Sequence, residues 1–408
     1  MAIVHPFRAL RPPVARVAQV ASPPYDVVNT EEARELVKDN PLSFFHVSRP
    51  EIDLPKGTDL YSDQVYQKAA ENFETLVANC PLEVEPSPSI YLYRLIMGDH
   101  QQIGVVACAS VDEYDNNVIR KHEKTRPDKE DDRTRHMLKL KAQTGPVFLT
   151  FRATEEIDSL IADASQLKPL YDFIAPDGIQ HTVWHVGDAI RFVSAFRSVP
   201  LLYIADGHHR AASASRARAL LKGQNPEHTG DEEYNYFLTV SFPDSQLKIL
   251  PYNRVVRDLN GNSPEEFLDR VRERFEVKDN GQPSPSKPGE WSMYLRGNWY
   301  SLALKSGQTA PIDPVARLDV SILQDRLLDP ILGIKDIRTD ERIDFVGGIR
   351  GPAELMRLVD SGKGEVAFSM YATSIDDLLE VSDAGGIMPP KSTWFEPKLR
   401  DGLLVHAI

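Results

Sequence analysis

The 408-residue chain is poor in cysteine: it contains only Cys80 and Cys108, which lie far apart and form no CxxC pair. This usage argues against a zinc ribbon or a disulfide scaffold and is typical of buried thiols in a reducing, cytoplasmic compartment. No run of about 18 apolar residues is present, so we expect no membrane span. The first residues, MAIVHPFRALRPP, carry charges and prolines where a signal peptide needs an apolar stretch.

Basic residues are also in deficit, because 47 Lys and Arg stand against 60 Asp and Glu, a formal net charge of −13. An acidic balance argues against nucleic acid or an anionic membrane surface as the partner, although a local basic pocket is still compatible with it. The hydrophobic fraction of 41% and the charged fraction of 26% are ordinary for a globular protein. No internal repeat of roughly 20–50 residues is visible, which disfavours solenoids and propellers.

Short strand and helix patterns alternate along the chain. Asn29 or Thr30 is predicted to cap a helix with acidic residues in its first turn, and apolar spacing over 60–77 predicts a second helix. Two apolar runs around Gly98 predict a β-hairpin. This mixture of hairpins and helices favours an α+β fold over a doubly wound parallel sheet, with a domain boundary near residue 258.

The segment from Asp206 to Arg210 follows an apolar strand pattern and precedes the strong helix former AASASRARALLK. Gly207 lets the backbone approach a ligand, and the free N–H groups of a helix start attract anions. Arg210 adds a phosphate donor, while His208 and His209 can hydrogen-bond or protonate a phosphate. The pattern predicts an anion site; the alternative is a helix end capped by Asp206 with two surface histidines.

A second group lies in the charged run from residue 120 to 136, which by itself predicts a solvent-facing helix or loop. His122 and Glu123 offer a base with an orienting partner, or a carboxylate for a metal. Arg126 and the neighbouring arginines could hold a phosphate or a carboxylate. Adjacent His208 and His209 lack metal-ligand spacing, so we expect no structural zinc site; Mg²⁺ held through phosphates and one carboxylate fits better.

Two further segments are stiffened by proline. Lys391, Ser392 and Thr393 follow Pro-Pro and predict either a phosphate-binding turn or a capped loop. Asp26 follows the sequence Pro23-Pro24-Tyr25. It is predicted to be either a carboxylate held in place by this stiff segment or an Asx-turn residue. No P-loop, no GxGxxG after a strand and no GxSxG elbow occurs, so a bound nucleotide would use none of the common cradles.

Four segments, PPYDV, KHEKTRP, YIADGHHRAASA and MPPKSTWFEPKL, resemble in this order the signatures of the domain of unknown function 1015 family, from about residue 5 to 404. Their GHHR element is similar to the phosphate-cradling element of the ParB/sulfiredoxin superfamily. The resemblance implies a ParB/sulfiredoxin-like mixed α/β core over 1–258 and an additional C-terminal α/β region over 259–408 that completes or buttresses the cleft. Asn253 departs from the family, which often has histidine there.

The resemblance extends to the free serine kinases of that superfamily. It implies a phosphotransferase that uses ATP or ADP with Mg²⁺ and acts on a small hydroxylated metabolite, with L-serine as the first guess. The resemblance implies that the nucleotide is bound by Asp206, Gly207, His208 and Arg210. It implies that the catalytic residues are Asp26, His122, Glu123 and His209, and that the substrate is bound by Arg126, Lys391, Ser392 and Thr393. Asp26 or Glu123 would be the base.

Two other functions stay open at this point. One is a CTP- or ATP-binding regulatory switch without kinase activity, and the other is a phosphatase or lyase acting on a phosphorylated small molecule. The DNA-binding helices of ParB are not evident in the chain, and His208 stands where sulfiredoxin has its catalytic cysteine. The sequence leaves the acceptor, the nucleotide and the oligomeric state open, with a homodimer among the options.

Overall fold

The computed structural model describes residues 1–309 and 311–408. The chain forms two compact units, of which the first comprises Met1–Leu247 with Pro397–Ile408 and the second comprises Lys248–Glu396. The chain therefore passes between the units at 247/248 and again at 396/397, whereas the sequence places a single boundary near residue 258. The second unit is an insertion within the first.

Helices are distributed over both units. In the residues described, the α-helices are α1 Val17–Val20, α2 Thr30–Val37, α3 Phe45–Ser48, α4 Asp63–Asn79, α5 Val111–Asp115, α6 Pro127–Leu140, α7 Glu155–Ala164, α8 Ala189–Phe196, α9 His208–Gln224, α10 Pro264–Arg274, α11 Asp319–Leu323, α12 Gly351–Asp360 and α13 Ile375–Asp383. Among these residues, no helix has both the length and the apolar character that a bilayer span requires.

The strands are mostly short. In chain order they are β1 Val4–His5, β2 Leu10–Arg11, β3 Glu83–Val84, β4 Ile90–Met97, β5 His100–Ser110, β6 Ile119–Arg120, β7 Ala142–Gln143, β8 Val147–Phe151, β9 Tyr171–Ile174, β10 Gln180–Val186, β11 Leu202–Asp206, β12 Tyr236–Pro243, β13 Lys248–Leu250, β14 Tyr252–Val256, β15 Phe275–Asp279, β16 Glu290–Leu295, β17 Asn298–Leu304, β18 Ile343–Gly347, β19 Val366–Met370, β20 Trp394–Glu396 and β21 His406–Ala407.

The first unit is built on a mixed sheet with the order β6-β11-β8-β12-β5-β4-β10-β9, to which β1 adds beside β5. The pairs β6/β11 and β8/β12 are parallel, and the other pairs are antiparallel. The β4–β5 hairpin around Gly98 confirms the sequence prediction. Mixed pairing together with hairpins makes this an α+β fold, as predicted, and excludes a doubly wound parallel sheet.

The core of the first unit lies between this sheet and its helices. All five residues of β8 are buried, and Phe151 and Ile204 pack with Phe196 of α8 and with Ala211 and Ala214 of α9. The alanines let α9 approach the sheet closely. Cys80 and Cys108 are free and buried, as the sequence predicts.

Two helices bear directly on the site. Asn29 caps α2 through a capping box with Glu32, which satisfies two backbone N–H groups at the helix start and confirms the predicted cap. The charged run becomes helix α6, but Asp132, Thr134 and His136 are buried within it. The prediction of a solvent-facing segment is therefore wrong for these residues. The Tyr66 hydroxyl of α4 donates to Asp132 Oδ1 and the His136 ring donates to the Val47 carbonyl of α3, while α9 also packs on α6, where Ser213 Oγ donates to the Glu130 carbonyl.

The second unit contains an antiparallel sheet of order β15-β17-β16-β19-β14-β18 and a separate β13/β20 pair. Its core includes Val255, Tyr294, Leu355 and Ala367, contributed by three strands and by helix α12. Asn253 lies in β14, where its Oδ1 accepts a hydrogen bond from the backbone N–H of Met370 at 3.0 Å. The asparagine thus has a structural role in this unit.

Phe196 provides a test of the first-unit core. It is fully buried at the end of α8, with its ring 5.1 Å from that of Phe151. We expect Phe196→Ala to lower the free energy of unfolding by about 3–5 kcal/mol, measured by denaturant titration, because it leaves a cavity. The control is Ile190→Ala on the same helix, where the side chain is 79% exposed and the change should be small. Equal losses for the two variants would contradict this account of the core.

Candidate active site

The site is organised by the sharp turn between β11 and α9. Gly207 has φ = +94°, a left-handed conformation that side chains rarely tolerate, and its N–H donates to Asp206 Oδ1 at 2.9 Å. The first N–H groups of α9 follow directly on this turn. Gly207 has no side chain to cap them, so they are available to an anion.

Arg210 is folded back over this turn and is buried. A Cβ added to Gly207 would stand 2.9 Å from Arg210 Nε, so glycine is needed for space as well as for its backbone conformation. The Nη1 group donates to the Pro146 carbonyl, and Nη2 lies 3.7 Å from Asp206 Oδ2. Burial alone would lower the pKa of Arg210, but Asp26, Asp206 and Asp401 outweigh it and hold the pKa above its ordinary value.

Asp206 connects the turn to the C-terminal segment of the chain. Lys398 Nζ donates to Asp206 Oδ2 at 3.2 Å. Burial tends to raise the pKa of Asp206, yet the charges of Lys398 and Arg210 outweigh it and hold the pKa well below its ordinary value. The predicted cap residue is thus an ionised carboxylate that holds two cations at the end of β11.

His122 and His208 form a buried pair beneath the turn. Their rings are 4.5 Å apart and nearly perpendicular, and the His122 ring donates to the Ile204 carbonyl. Burial lowers the pKa of His122 to about 4 and lowers that of His208 far below its ordinary value. Both rings are therefore neutral at pH 7. The prediction of two surface histidines, the alternative to an anion site, is wrong for His208.

His209 lies closer to solvent and is positioned by the backbone. The Arg126 N–H donates to His209 Nε2 at 3.1 Å. Burial lowers the pKa of His209, while the charge of Asp26, an exposed residue, acts in the opposite direction. Arg126 thus reaches the site through its backbone, since its own guanidinium pairs with Asp128 at 2.9 Å.

Glu123 joins the same group through the histidine pair. Its Oε2 lies 3.5 Å from His208 Nδ1, and its side chain is 49% exposed. A carboxylate at this distance orients the His208 ring and favours the tautomer with the proton on Nδ1. The two predicted bases, Asp26 and Glu123, are both exposed to solvent. They differ in their neighbours, because Glu123 lies near His208 whereas the charge of Asp26 acts on His209.

Asp401 lies behind the turn, close to Arg210. It is buried, and its carboxylate accepts a hydrogen bond from the Tyr25 N–H. Burial, together with the charge of Asp26, raises the pKa of Asp401 to about 7, while Arg210 and Arg133 oppose the shift. The Arg133 guanidinium lies 4.2 Å from the centre of the Tyr25 ring and pairs with Asp132 at 2.8 Å.

The remaining predicted residues belong to the second unit. Lys391 has φ = +58° and its carbonyl accepts from Arg254 Nη2 at 3.1 Å, while Ser392 is buried and donates from Oγ to the Pro389 carbonyl. Thr393 follows them, half-buried. These bonds make the segment a closed turn, and the prediction that it binds substrate stays a prediction.

Sequence reasoning missed Lys398 and Asp401. Both lie just beyond the Lys-Ser-Thr segment that drew attention, and Arg400 stands between them with Leu399, Leu403 and Leu404 buried around them. A short charged segment among buried leucines is the signal that could have found them, since charges in apolar surroundings are usually paired.

The arrangement can bind an anion and move a proton. Free N–H groups at the start of α9 and the cationic Arg210 suit a phosphate, and the exposed carboxylate of Asp26 acts electrostatically on Arg210 and His209. Within residues 1–309 and 311–408, no cluster of three or more His, Cys, Asp or Glu side chains could hold a metal ion.

The sequence matches a family described as "Protein of unknown function (DUF1015)" over residues 4–321. This match covers most of the chain and includes three of the four segments quoted above, while MPPKSTWFEPKL, at 388–399, lies beyond the matched residues. No curated protein matches the chain significantly.

Several solved structures are similar at low identity. SbnI with a C-terminal truncation from Staphylococcus aureus is 11% identical, with a TM-score of 0.38, covering 74% of this chain and 87% of that one. A free serine kinase variant in complex with ADP is 12% identical, with a TM-score of 0.36 and coverages of 74% and 92%. A conserved hypothetical protein from Pyrococcus furiosus is 15% identical, with a TM-score of 0.34 and coverages of 74% and 95%.

Gly207 gives the first prediction for the site. We expect Gly207→Ala to lower the free energy of unfolding by about 1–2 kcal/mol, because a Cβ is strained at this φ and displaces Arg210. Thermal unfolding measures the loss. Gly223→Ala on the same helix is the matched control, since nothing lies within 4 Å of its added Cβ. That variant should be neutral or slightly more stable, and a loss as large as that of Gly207→Ala would contradict the role of the turn.

His122 gives a prediction about pH. Its pKa is lowered to about 4 in the folded protein, whereas the unfolded chain has the ordinary value of 6.5. The unfolded state therefore binds more protons between these values, so His122 costs stability as the pH falls from about 6.5 to about 4. We expect the stability of the wild type relative to His122→Phe to be constant above pH 7 and to fall by on the order of 3 kcal/mol at pH 4.

Denaturant titrations of both proteins from pH 4 to pH 8 measure this difference. Groups that do not interact with His122, such as Asp401, are present in both proteins and cancel in the comparison, whereas the charge interaction between His122 and His208 is part of the measured difference. A difference that stays flat over the whole range would show that His122 is protonated equally in the folded and unfolded states.

Proposed function

The chain belongs to the DUF1015 family of proteins of unknown function, and we propose from the geometry of its own first unit that it is a nucleotide-dependent phosphotransferase. Its acceptor is a small hydroxylated metabolite, with free L-serine as the first guess. The observation that carries the proposal is the β11–α9 turn, where uncapped N–H groups lie next to the buried cation Arg210, on which the exposed carboxylate of Asp26 acts electrostatically.

The turn is assigned to the nucleotide phosphates. Glycine at position 207 lets a phosphate approach the backbone, and the first N–H groups of α9 donate to its oxygens. Arg210 contributes a fixed positive charge, because its guanidinium is held by Pro146 and Asp206. Phosphoryl transfer chiefly requires positioning and neutralisation of charge, which this rigid turn supplies.

Asp26 is assigned the role of base. In the proposed step, the acceptor hydroxyl oxygen forms a bond to the terminal phosphorus, and the bond from that phosphorus to the bridging oxygen of the nucleotide breaks. The hydroxyl proton passes to Asp26, and the nucleotide leaves one phosphate shorter. Asp26 is favoured over Glu123 because its charge acts on both Arg210 and His209, whereas Glu123 lies against His208.

The histidines divide into two roles. His209 faces solvent beside Asp26 and is oriented by the Arg126 N–H, so it can hydrogen-bond the transferred phosphoryl group. His122 and His208 are buried and neutral, and they hold the start of α9 in place. They are positioning residues in this proposal.

Magnesium would be held chiefly by the nucleotide phosphates, because the described residues contain no protein cage for a metal. Magnesium would supply charge neutralisation on the phosphates.

Two measurements test the proposal directly. Calorimetry with ATP, ADP, AMP and CTP in the presence of Mg²⁺ measures nucleotide binding, and ³¹P NMR of protein, nucleotide and pooled hydroxylated metabolites detects a new phosphomonoester. Binding without product would favour the regulatory switch. Indifference to nucleotides together with binding of phosphoserine would favour the phosphatase or lyase.

For the transfer itself, we expect Asp26→Asn to lower kcat by about 10²–10⁴-fold, because the amide cannot accept the hydroxyl proton. Nucleotide affinity should change by less than about threefold, since Asp26 does not contact the helix start through a hydrogen bond in this proposal. A coupled assay of nucleotide consumption measures kcat, and calorimetry measures affinity.

The matched control for this variant is Asp39→Asn, an exposed aspartate shortly after the end of helix α2. It should retain the wild-type kcat. If Asp26→Asn keeps full activity while Glu123→Gln loses it, Glu123 is the base and the assignment of Asp26 is wrong.

A further inference from the structure

An arginine in the interior of the second unit has no carboxylate to balance its charge. Arg254 lies in β14 and is 1% exposed. Its Nη1 donates to the Tyr252 carbonyl and its Nη2 to the Lys391 carbonyl at 3.1 Å, while its guanidinium lies 5.5 Å from the centre of the Phe345 ring. Among the residues described, no aspartate or glutamate pairs with it or acts on its charge, and burial lowers the pKa of Arg254 to about 10.

The partners of Arg254 satisfy part of its hydrogen-bonding capacity but none of its charge. Carbonyl groups and an aromatic ring are neutral, whereas a buried cation is usually paired with an anion because its desolvation is costly. An arginine also has about five N–H donors, and the bonds to Tyr252 and Lys391 use only part of them. The charge of Arg254 therefore indicates that an anion from outside the chain completes its surroundings.

The turn at residues 389–393, which Arg254 contacts, carries a second cation without a partner. Lys391 is exposed, with φ = +58°, and its Nζ lies 5.5 Å from the centre of the Tyr252 ring. Within 1–309 and 311–408, no carboxylate forms an ion pair with this ammonium. Since Tyr252 contacts Lys391 through its ring and Arg254 through its carbonyl, two unbalanced positive charges lie close to one residue of β14.

The same turn offers hydrogen-bond donors rather than acceptors. Three of its carbonyls are occupied, by Ser392 Oγ at 2.6 Å, by Arg254 Nη2 at 3.1 Å and by Thr373 Oγ1 at 2.9 Å. The N–H groups of Lys391 and Thr393, and the Thr393 hydroxyl, have no partner in the described part of the chain. Free N–H groups in a turn with a left-handed residue are a common way to bind an anion.

We propose that Arg254 and the 389–393 turn form an anion site within the second unit, and that its ligand carries a phosphate group. The N–H groups of Lys391 and Thr393 donate to the phosphate oxygens, and the two cations balance its charge. A phosphate with a charge of about −2 matches both cations, whereas a carboxylate balances only one of them. The inference uses residues of the second unit alone and does not depend on the proposed phosphotransferase function.

Equilibrium dialysis of the full chain against radiolabelled inorganic phosphate, at constant ionic strength, tests the site. We expect Lys391→Glu to weaken phosphate binding at this site by about tenfold or more, because an attractive charge becomes a repulsive one. The number of phosphates bound per chain should then fall by one at a concentration that saturates the wild type. The matched control is Lys335→Glu, an exposed lysine of the same unit, which should bind as the wild type does.

Arg254→Met is the second variant, since it removes the buried charge and keeps an unbranched side chain. It should also lose one bound phosphate per chain, and thermal unfolding establishes that it is folded. Phosphate should raise the Tm of the wild type more than chloride does at equal ionic strength, and this difference should be smaller in both variants. Unchanged phosphate binding in Lys391→Glu and Arg254→Met would overturn the site and leave Arg254 as a structural contact of the turn.

Competition identifies the ligand. Displacement of the label by O-phosphoserine more strongly than by unlabelled phosphate would indicate a phosphomonoester, and the reverse order would indicate free phosphate. Acetate that competes as well as phosphate would overturn the choice of a phosphate group.

Nucleotide binding separates this site from the proposed function. Lys391→Glu should leave ATP and ADP affinity within about twofold of the wild type. Loss of nucleotide binding together with phosphate binding would assign the turn to the nucleotide and overturn a separate site. Phosphate binding that depends on Lys391, without any phosphomonoester product from nucleotide and metabolites, would support the site and overturn the phosphotransferase.

Discussion

The burial of the Arg210 guanidinium is the constraint on which the rest of the site depends. A buried cation is stable only if carboxylates and carbonyls surround it, and here Asp206, Asp401 and the Pro146 carbonyl do so from different segments. The left-handed Gly207 is the position that makes room for it. One guanidinium on α9 therefore interacts with Asp206 at the end of β11, with the Pro146 carbonyl just before β8, and electrostatically with Asp401 of the C-terminal segment.

Local sequence patterns predicted the elements that build the site. The strand, glycine turn and alanine-rich helix at 200–222 became β11 and α9, and Asn29 became the cap of α2, because these features are determined by neighbours along the chain. The α+β class followed from hairpins in the same way. The burial of His208 was harder to predict, because the sequence around a histidine at a helix start is the same whether its ring faces solvent or the core.

What could not be predicted depends on contacts between distant segments. Lys398 donates a hydrogen bond to Asp206 although the two residues are 192 positions apart in the chain. Asp401 interacts electrostatically with Arg210, which is similarly distant in sequence. Nothing local in the sequence marks Asp132 and His136 as the buried face of a charged helix, because their partners, Tyr66 of α4 and the Val47 carbonyl of α3, come from distant segments. The periodicity of α6 was hidden since its buried face is itself polar.

The insertion of the second unit has a consequence for synthesis of the chain. The first unit needs Pro397–Ile408, including the partners of Asp206 and Arg210, but these residues leave the ribosome only after Lys248–Glu396 has been made. During that interval the carboxylate of Asp206 has no lysine and the Arg210 side chain lacks Asp401. A nascent chain therefore carries the turn with the Asp206–Arg210 pair but without Lys398 and Asp401, and the site is complete only when the final segment docks.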